Sequence, residues 1–96
     1  MTVIKLSDEA VQNKLSDIPG WSVAGDALVK TFSFEDFVQS MQFVNRLGIA
    51  AEEAQHHPDI DIRYSKVTIS LSTHDSGGIT EKDFALAQEA DAVAER

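Results

Sequence analysis

Apolar residues recur along the chain with two different periods, and the changes of period divide it into elements. A first helix can start after Ser7, with Leu6 and Val11 placed as a hydrophobic staple and Val11 and Leu15 on one face. Pro19-Gly20 stops it. Trp21 to Ala24 reads as a short strand, Gly25-Asp26 as a turn, and Leu28 to Phe34 as a second strand with Leu28, Phe32 and Phe34 on one side. Lys30 interrupts that side, which places the strand half exposed or at a sheet edge.

From Glu35 to about Gln55 the period lengthens. Phe37, Met41, Val44, Leu47, Ala51 and Ala54 are separated by four, three, three, four and three positions, which predicts an amphipathic helix. His56-His57-Pro58 ends it, because the residue before a proline is driven out of the helical region. Ile60, Ile62 and Tyr64 then alternate with Asp59, Asp61 and Arg63. Val67, Ile69 and Leu71 alternate in the same way with Lys66, Thr68, Ser70 and Ser72, so two one-sided strands joined by a turn at Tyr64 to Lys66 are expected. Thr73 to Gly78 is a loop. Thr80 caps a last helix, Asp83 completes a capping box, Ile79 staples to Phe84, and Leu86, Ala87, Ala90, Val93 and Ala94 form the stripe.

The order α-β-β-α-β-β-α predicts an α+β fold: a four-stranded antiparallel sheet, polar on one side, with three helices packed on the other face. With 96 residues, no repeat and no linker, one domain over residues 1–96 is expected. So small a core favours self-association, through a strand edge or the alanine-rich faces of the last two helices.

Composition narrows the function. Lys and Arg number 8 against 16 Asp and Glu, a formal charge of −8, and no basic cluster offsets it, which argues against direct nucleic-acid binding. The absence of cysteine excludes disulfides, thiolate zinc sites and cysteine nucleophiles. No stretch is apolar enough to span a bilayer, and Met1 to Leu6 lacks a secretory pattern, so a cytoplasmic location is the simplest expectation. Ser76-Gly77-Gly78 lacks the context of a phosphate loop, and there is no Gly-x-Ser-x-Gly elbow.

What remains are the three histidines. His56 and His57 lie between the long helix and the third strand, and His74 lies just past the fourth, in phase with Ser70 and Ser72. Imidazole donates or accepts a proton near neutrality, so a turn at Pro58 that fans His56 and His57 around a small ligand would make an acid–base site. Taken singly, a surface histidine or a helix-end cap is the plainer reading of each. Glu52, four residues before His56, is placed to orient it or to be an ordinary solvated acid. Neighbouring histidines without cysteine make a weak zinc pattern; no metal and no cofactor is expected.

Glu52, His56-His57-Pro58, Tyr64-Ser65-Lys66-Val67, Ser72-Thr73-His74 and Thr80-Glu81-Lys82-Asp83, with Trp21 and Glu35-Asp36-Phe37, resemble the pterin-4a-carbinolamine dehydratase family through nearly the whole chain. The resemblance implies loss of water from a 4a-hydroxytetrahydropterin such as 4a-hydroxytetrahydrobiopterin to give a quinonoid dihydropterin. It also implies assembly into homodimers or homotetramers and a functional link to an aromatic amino acid hydroxylase. His57 and His74 would transfer protons and His56 would position the pterin or share the acid role on the other face of the ring, with Glu52 orienting His56 and Asp83 supporting the His74 side. Pro58, Ser72 and Thr73 would shape or support the pocket, and Tyr64 and Trp21 read as core or rim aromatics rather than stacking platforms. Some relatives carry an aromatic where this chain has Asp59-Ile60-Asp61-Ile62-Arg63, which leaves the pterin side-chain preference open. Competing readings are a protein-binding or coactivator-like module, a small metal-dependent lyase or metallochaperone, and a related dehydratase in another pterin pathway.

Overall fold

The computed structural model describes residues 3–95; Met1, Thr2 and Arg96 lie outside the described residues. Ser7 caps α1 (Asp8–Lys14) by accepting from the Ala10 amide at 3.1 Å, and the chain then tightens into a 3-10 turn over Leu15–Asp17. The strands are β1 (Ser22–Ala24), β2 (Ala27–Ser33), β3 (Asp59–Arg63) and β4 (Lys66–Leu71). They form one antiparallel sheet in the order β1-β2-β4-β3. Gly25, at φ +61°, makes the two-residue β1–β2 turn, where a side chain would be strained.

β2 is therefore an inner strand, not an edge, and the reason is the partner found by Lys30. Its Nζ lies 2.7 Å from Asp91 Oδ1 and 4.7 Å from the Phe32 ring centroid, while Trp21 Nε1 donates to the same carboxylate at 3.2 Å. A cation matched in this way is tolerated on a covered face.

α2 (Phe37–Ala54) is capped by Asp36, whose carboxylate accepts from Gln39 N at 2.9 Å. The helix is where it was expected, but its buried stripe is rotated: Ser40, Phe43, Leu47 and Ala51 face inward, and Phe37 is 47% exposed. Phe43 meets Phe32 and Phe34 at centroid distances of 4.7 and 5.2 Å, and Ser40 is accommodated by donating to the Asp36 carbonyl. α3 (Glu81–Ala94) buries Phe84, Leu86, Ala87, Ala90 and Val93. Ala51, Ala87 and Ala90 are thus consumed inside the chain, where α2 and α3 pack together, rather than offered to a second copy.

Leu28, Phe32, Val67, Ile69 and Leu71 bury the helix-facing side of the sheet, each contributing about 1.5–3 kcal/mol through removal from water. Thr31, Ser33 and Lys66 are exposed on the other side, where the Thr31 and Thr68 hydroxyls meet at 2.8 Å. Among the described residues no helix is long and apolar enough to cross a membrane.

Candidate active site

The site forms where the ends of three elements meet: the C-terminus of α2, the end of β4 and the N-terminus of α3. At the end of α2, Gln55 adopts φ +54°; its amide donates to Glu52 O at 3.2 Å and the His56 amide to Ala51 O at 3.1 Å. This Schellman-type ending reverses the chain within two residues and sends the adjacent histidines to different partners.

His56 turns inward. It is 9% exposed, and its Nε2 lies 2.6 Å from Oδ1 of Asp83, a carboxylate with no exposed surface. Asp83 Oδ2 accepts from Thr80 N at 2.8 Å and from Thr73 Oγ1 at 2.9 Å. Since the Thr73 proton is spent on Asp83, the 2.8 Å contact between the Thr73 and Thr80 hydroxyls has Thr80 donating, and Thr80 Oγ1 in turn accepts from Lys82 N at 3.2 Å. Every buried side-chain polar atom of this cluster is satisfied. The capping box of α3 and the seat of His56 are one construction.

His57 turns outward, where its Nε2 is hydrogen-bonded to Glu52 Oε2; the two side chains are 61% and 71% exposed. The carboxylate partners therefore differ from those expected: Glu52 holds His57 rather than His56, and Asp83 holds His56 rather than supporting His74. Four residues of helix would align Glu52 with position 56, but the left-handed Gln55 breaks that register.

β4 ends at Leu71, so His74 is not a continuation of the strand. It opens a 3-10 turn over His74–Ser76, closed by the Thr73–Gly78 bridge, and its exposed imidazole has no hydrogen-bond partner among the described residues. Ser72 Oγ donates to Asp26 O at 2.8 Å, fastening the β1–β2 turn to this end of the sheet.

A cavity of about 260 Å³ is lined by His56, His57 and His74 together with Ser72 and Thr73, and by Gln55, Asp75 and Lys82. All three sequence-predicted histidines thus share one space. Glu52, Pro58 and Asp83 do not line it; Glu52 and Asp83 hydrogen-bond two of the imidazoles that do. Gln55, Asp75 and Lys82 were not singled out as site residues: Gln55 and Asp75 only adjoin histidines, and Lys82 stands in the Thr80-Glu81-Lys82-Asp83 motif without a role of its own. Of the aromatics, Trp21 is core at 6% exposure and Tyr64 is a rim residue at 66%. Among the described residues, no group of three or more His, Asp or Glu converges as metal ligands, and Asp83 and Glu52 each engage an imidazole Nε2.

Three imidazoles border the cavity, two of them hydrogen-bonded to carboxylates and one without a partner among the described residues. Hydrogen bonding at Nε2 leaves Nδ1 of His56 and of His57 for other partners. Groups of this kind can donate or accept protons at two points of a small molecule held in the cavity.

Residues 4–93 match the family model described as pterin 4 alpha carbinolamine dehydratase. A relative from Thermomicrobium roseum, provisionally named a pterin-4-alpha-carbinolamine dehydratase, is 54% identical over 84 residues, 88% of this chain and 90% of its own. One from a Roseiflexus species, named in the same provisional way, is 47% identical over 89 residues, 93% and 96% of the two chains. Among solved structures, a transcriptional coactivator/pterin dehydratase from Brucella melitensis superposes with a TM-score of 0.90 at 32% identity, over 94% of this chain and 98% of that one. A pterin dehydratase-like protein identified as a RuBisCO assembly factor in the alpha-carboxysome superposes with a TM-score of 0.63 at 29% identity, over 77% and 86%. Fold and sequence agree: the chain belongs to the pterin-4a-carbinolamine dehydratase family.

Proposed function

We propose that this protein is a hydro-lyase that converts 4a-hydroxytetrahydrobiopterin, or a related 4a-hydroxytetrahydropterin, to the quinonoid dihydropterin and water. The observation that carries the reading is the convergence of His56, His57 and His74 on one cavity, with two of them held by carboxylates.

The reaction breaks the C4a–O bond and removes the N5 proton, so the ring needs a proton delivered to the leaving oxygen and another taken from nitrogen. With Nε2–H donated to Glu52, neutral His57 presents the Nδ1 lone pair and suits proton removal from N5. His74, in its imidazolium form, protonates the leaving oxygen, and its exposed position lets solvent restore the proton. His56, fixed in the protein by Asp83, positions the pterin. No electron is transferred and no group beyond these side chains enters a step.

The domain spans residues 1–96 and works in the cytoplasm as a homo-oligomer. Phe37, Val38 and Ile49, all exposed on α2, support self-association. The chemistry links it to a hydroxylase that leaves a 4a-hydroxypterin behind. The test is acceleration of quinonoid dihydropterin formation over the buffer rate.

A second reading, a binding module that assembles or activates a partner protein, is favoured by the coactivator and assembly-factor names of the two structural relatives. It predicts partner binding that survives substitution of the histidines.

A further inference from the structure

Two of the three imidazoles in the cavity are placed by carboxylates, and His74 is not. Its ring stands where its own backbone puts it, so its position depends on whatever holds the 3-10 turn over His74–Ser76.

Most bonds of that turn are internal. Ser76 N donates to Thr73 O at 3.0 Å and Gly77 N to His74 O at 3.1 Å, while Thr73 and Gly78 exchange amide-to-carbonyl bonds at 2.9 and 3.3 Å. Such bonds keep the shape of a loop without fixing it against the rest of the fold. At the root, Thr73 Oγ1 is held by Asp83 at 2.9 Å. From His74 to Gly77, one hydrogen bond among the described residues leaves the loop: Ser76 Oγ donates to the Val3 carbonyl.

Val3 belongs to the segment ahead of α1, and that segment lies along the loop. Leu6 N donates to Ile79 O at 2.9 Å, so Val3 meets Ser76, Leu6 meets Ile79, and the two stretches run side by side in the same sense. Between these bonds the Lys5 stem crosses Gly78, where an added Cβ would come within 2.8 Å of Lys5 Cε; the close approach depends on glycine. The segment is itself anchored, because Leu6 packs against the core and Ser7 caps α1. Ser72, which lines the cavity, is fixed by the same kind of bond, hydroxyl to the Asp26 carbonyl at 2.8 Å.

We infer that Ser76 is a positioning residue for His74: its hydroxyl, bonded to the Val3 carbonyl, holds the 3-10 turn against the N-terminal segment and so sets where the imidazole stands in the cavity. Ser76 does not line the cavity, so it acts through the turn and not on a ligand. The proton-donating role of His74 is taken from the dehydratase reading above, on which the kinetic consequence rests. A donor must sit within hydrogen-bond reach of the leaving oxygen, and a misplacement of about 1 Å can cost about 100-fold in rate.

Ser76→Ala removes the donor and leaves the backbone in place. In the dehydration assay kcat should fall by about tenfold with KM changed less than about twofold, since a displaced proton donor loses rate before it loses binding. Ser76→Thr keeps a hydroxyl and should restore most of the rate. In a His74→Ala background, Ser76→Ala should cost nothing further, because the two act as one unit. A wild-type kcat in Ser76→Ala overturns the inference, and so does an equal loss with and without His74, which would mean that the serine acts by another route.

The turn also gives a readout that needs no turnover. Backbone 15N relaxation should report order parameters of about 0.85 across His74–Gly77 in the wild type and below about 0.6 in Ser76→Ala. Unchanged order parameters overturn the inference even where dehydration holds. Should the wild type fail to dehydrate, the dehydratase reading falls by itself, and the relaxation data still decide whether Ser76 holds His74 in place.

Discussion

Asp83 has no exposed surface, and its carboxylate joins the first turn of α3 to the imidazole of His56, with Oδ1 2.6 Å from Nε2 and Oδ2 2.8 Å from the Thr80 amide. One side chain caps the start of a helix and holds an imidazole that lines the cavity, so a change there reaches both.

Asp83→Ala leaves the Thr80 amide, the Thr73 hydroxyl and the His56 nitrogen without their acceptor at buried positions. The expected loss is about 3–5 kcal/mol, read from the urea midpoint. A loss no larger than that of an exposed acid such as Glu81 would show the cluster to be unimportant for stability.

Glu52→Gln separates the two roles. Its pairing with His57 is exposed, so the unfolding free energy should change by no more than about 0.5 kcal/mol. The dehydration rate should fall by about tenfold or more, because His57 loses the carboxylate that fixes its tautomer. An unaltered rate would mean that Glu52 is only a solvated helix acid.

Asp91 matches Lys30 and the Trp21 indole at once. Asp91→Ala should destabilise by about 1–3 kcal/mol and alter the Trp21 fluorescence of the folded state. Unfolding curves superimposable on the wild type would remove Asp91 from the account of how an inner strand tolerates a lysine.

Periodicity placed every helix and strand within a few residues, because caps and turns such as Ser7, Thr80 and Gly25-Asp26 act locally. What a helix packs against is a tertiary matter. For α2 the spacing from Phe37 gave a consistent stripe, but Phe43 inserts beside Phe32 and Phe34, and the helix turns to let it. Phe43→Ala should accordingly cost about 3–5 kcal/mol, and Phe37→Ala less than about 1 kcal/mol in the protomer. Urea denaturation of the two variants compares them directly, and the reverse order would restore the stripe read from sequence.

The histidines were legible as a group because a small fold has few places for three imidazoles. Their carboxylate partners were not, since one residue decides them: Gln55 leaves the helical region, and position 57 rather than 56 folds back on Glu52. No spacing rule for helices anticipates that turn. The role of Asp83 was half visible, as a cap, while its second oxygen's contact with His56 spans 27 residues of sequence.

The most direct test of the proposed function is stopped-flow absorbance of quinonoid dihydropterin formation from freshly made 4a-hydroxytetrahydropterin. Metal-stripped wild type is compared with His57→Ala and His74→Ala, all at matched concentration. Acceleration by the wild type, falling by about 100-fold or more in each variant, is the predicted result. A wild-type trace that coincides with the buffer control would contradict histidine-catalysed dehydration and leave the binding-module reading in its place.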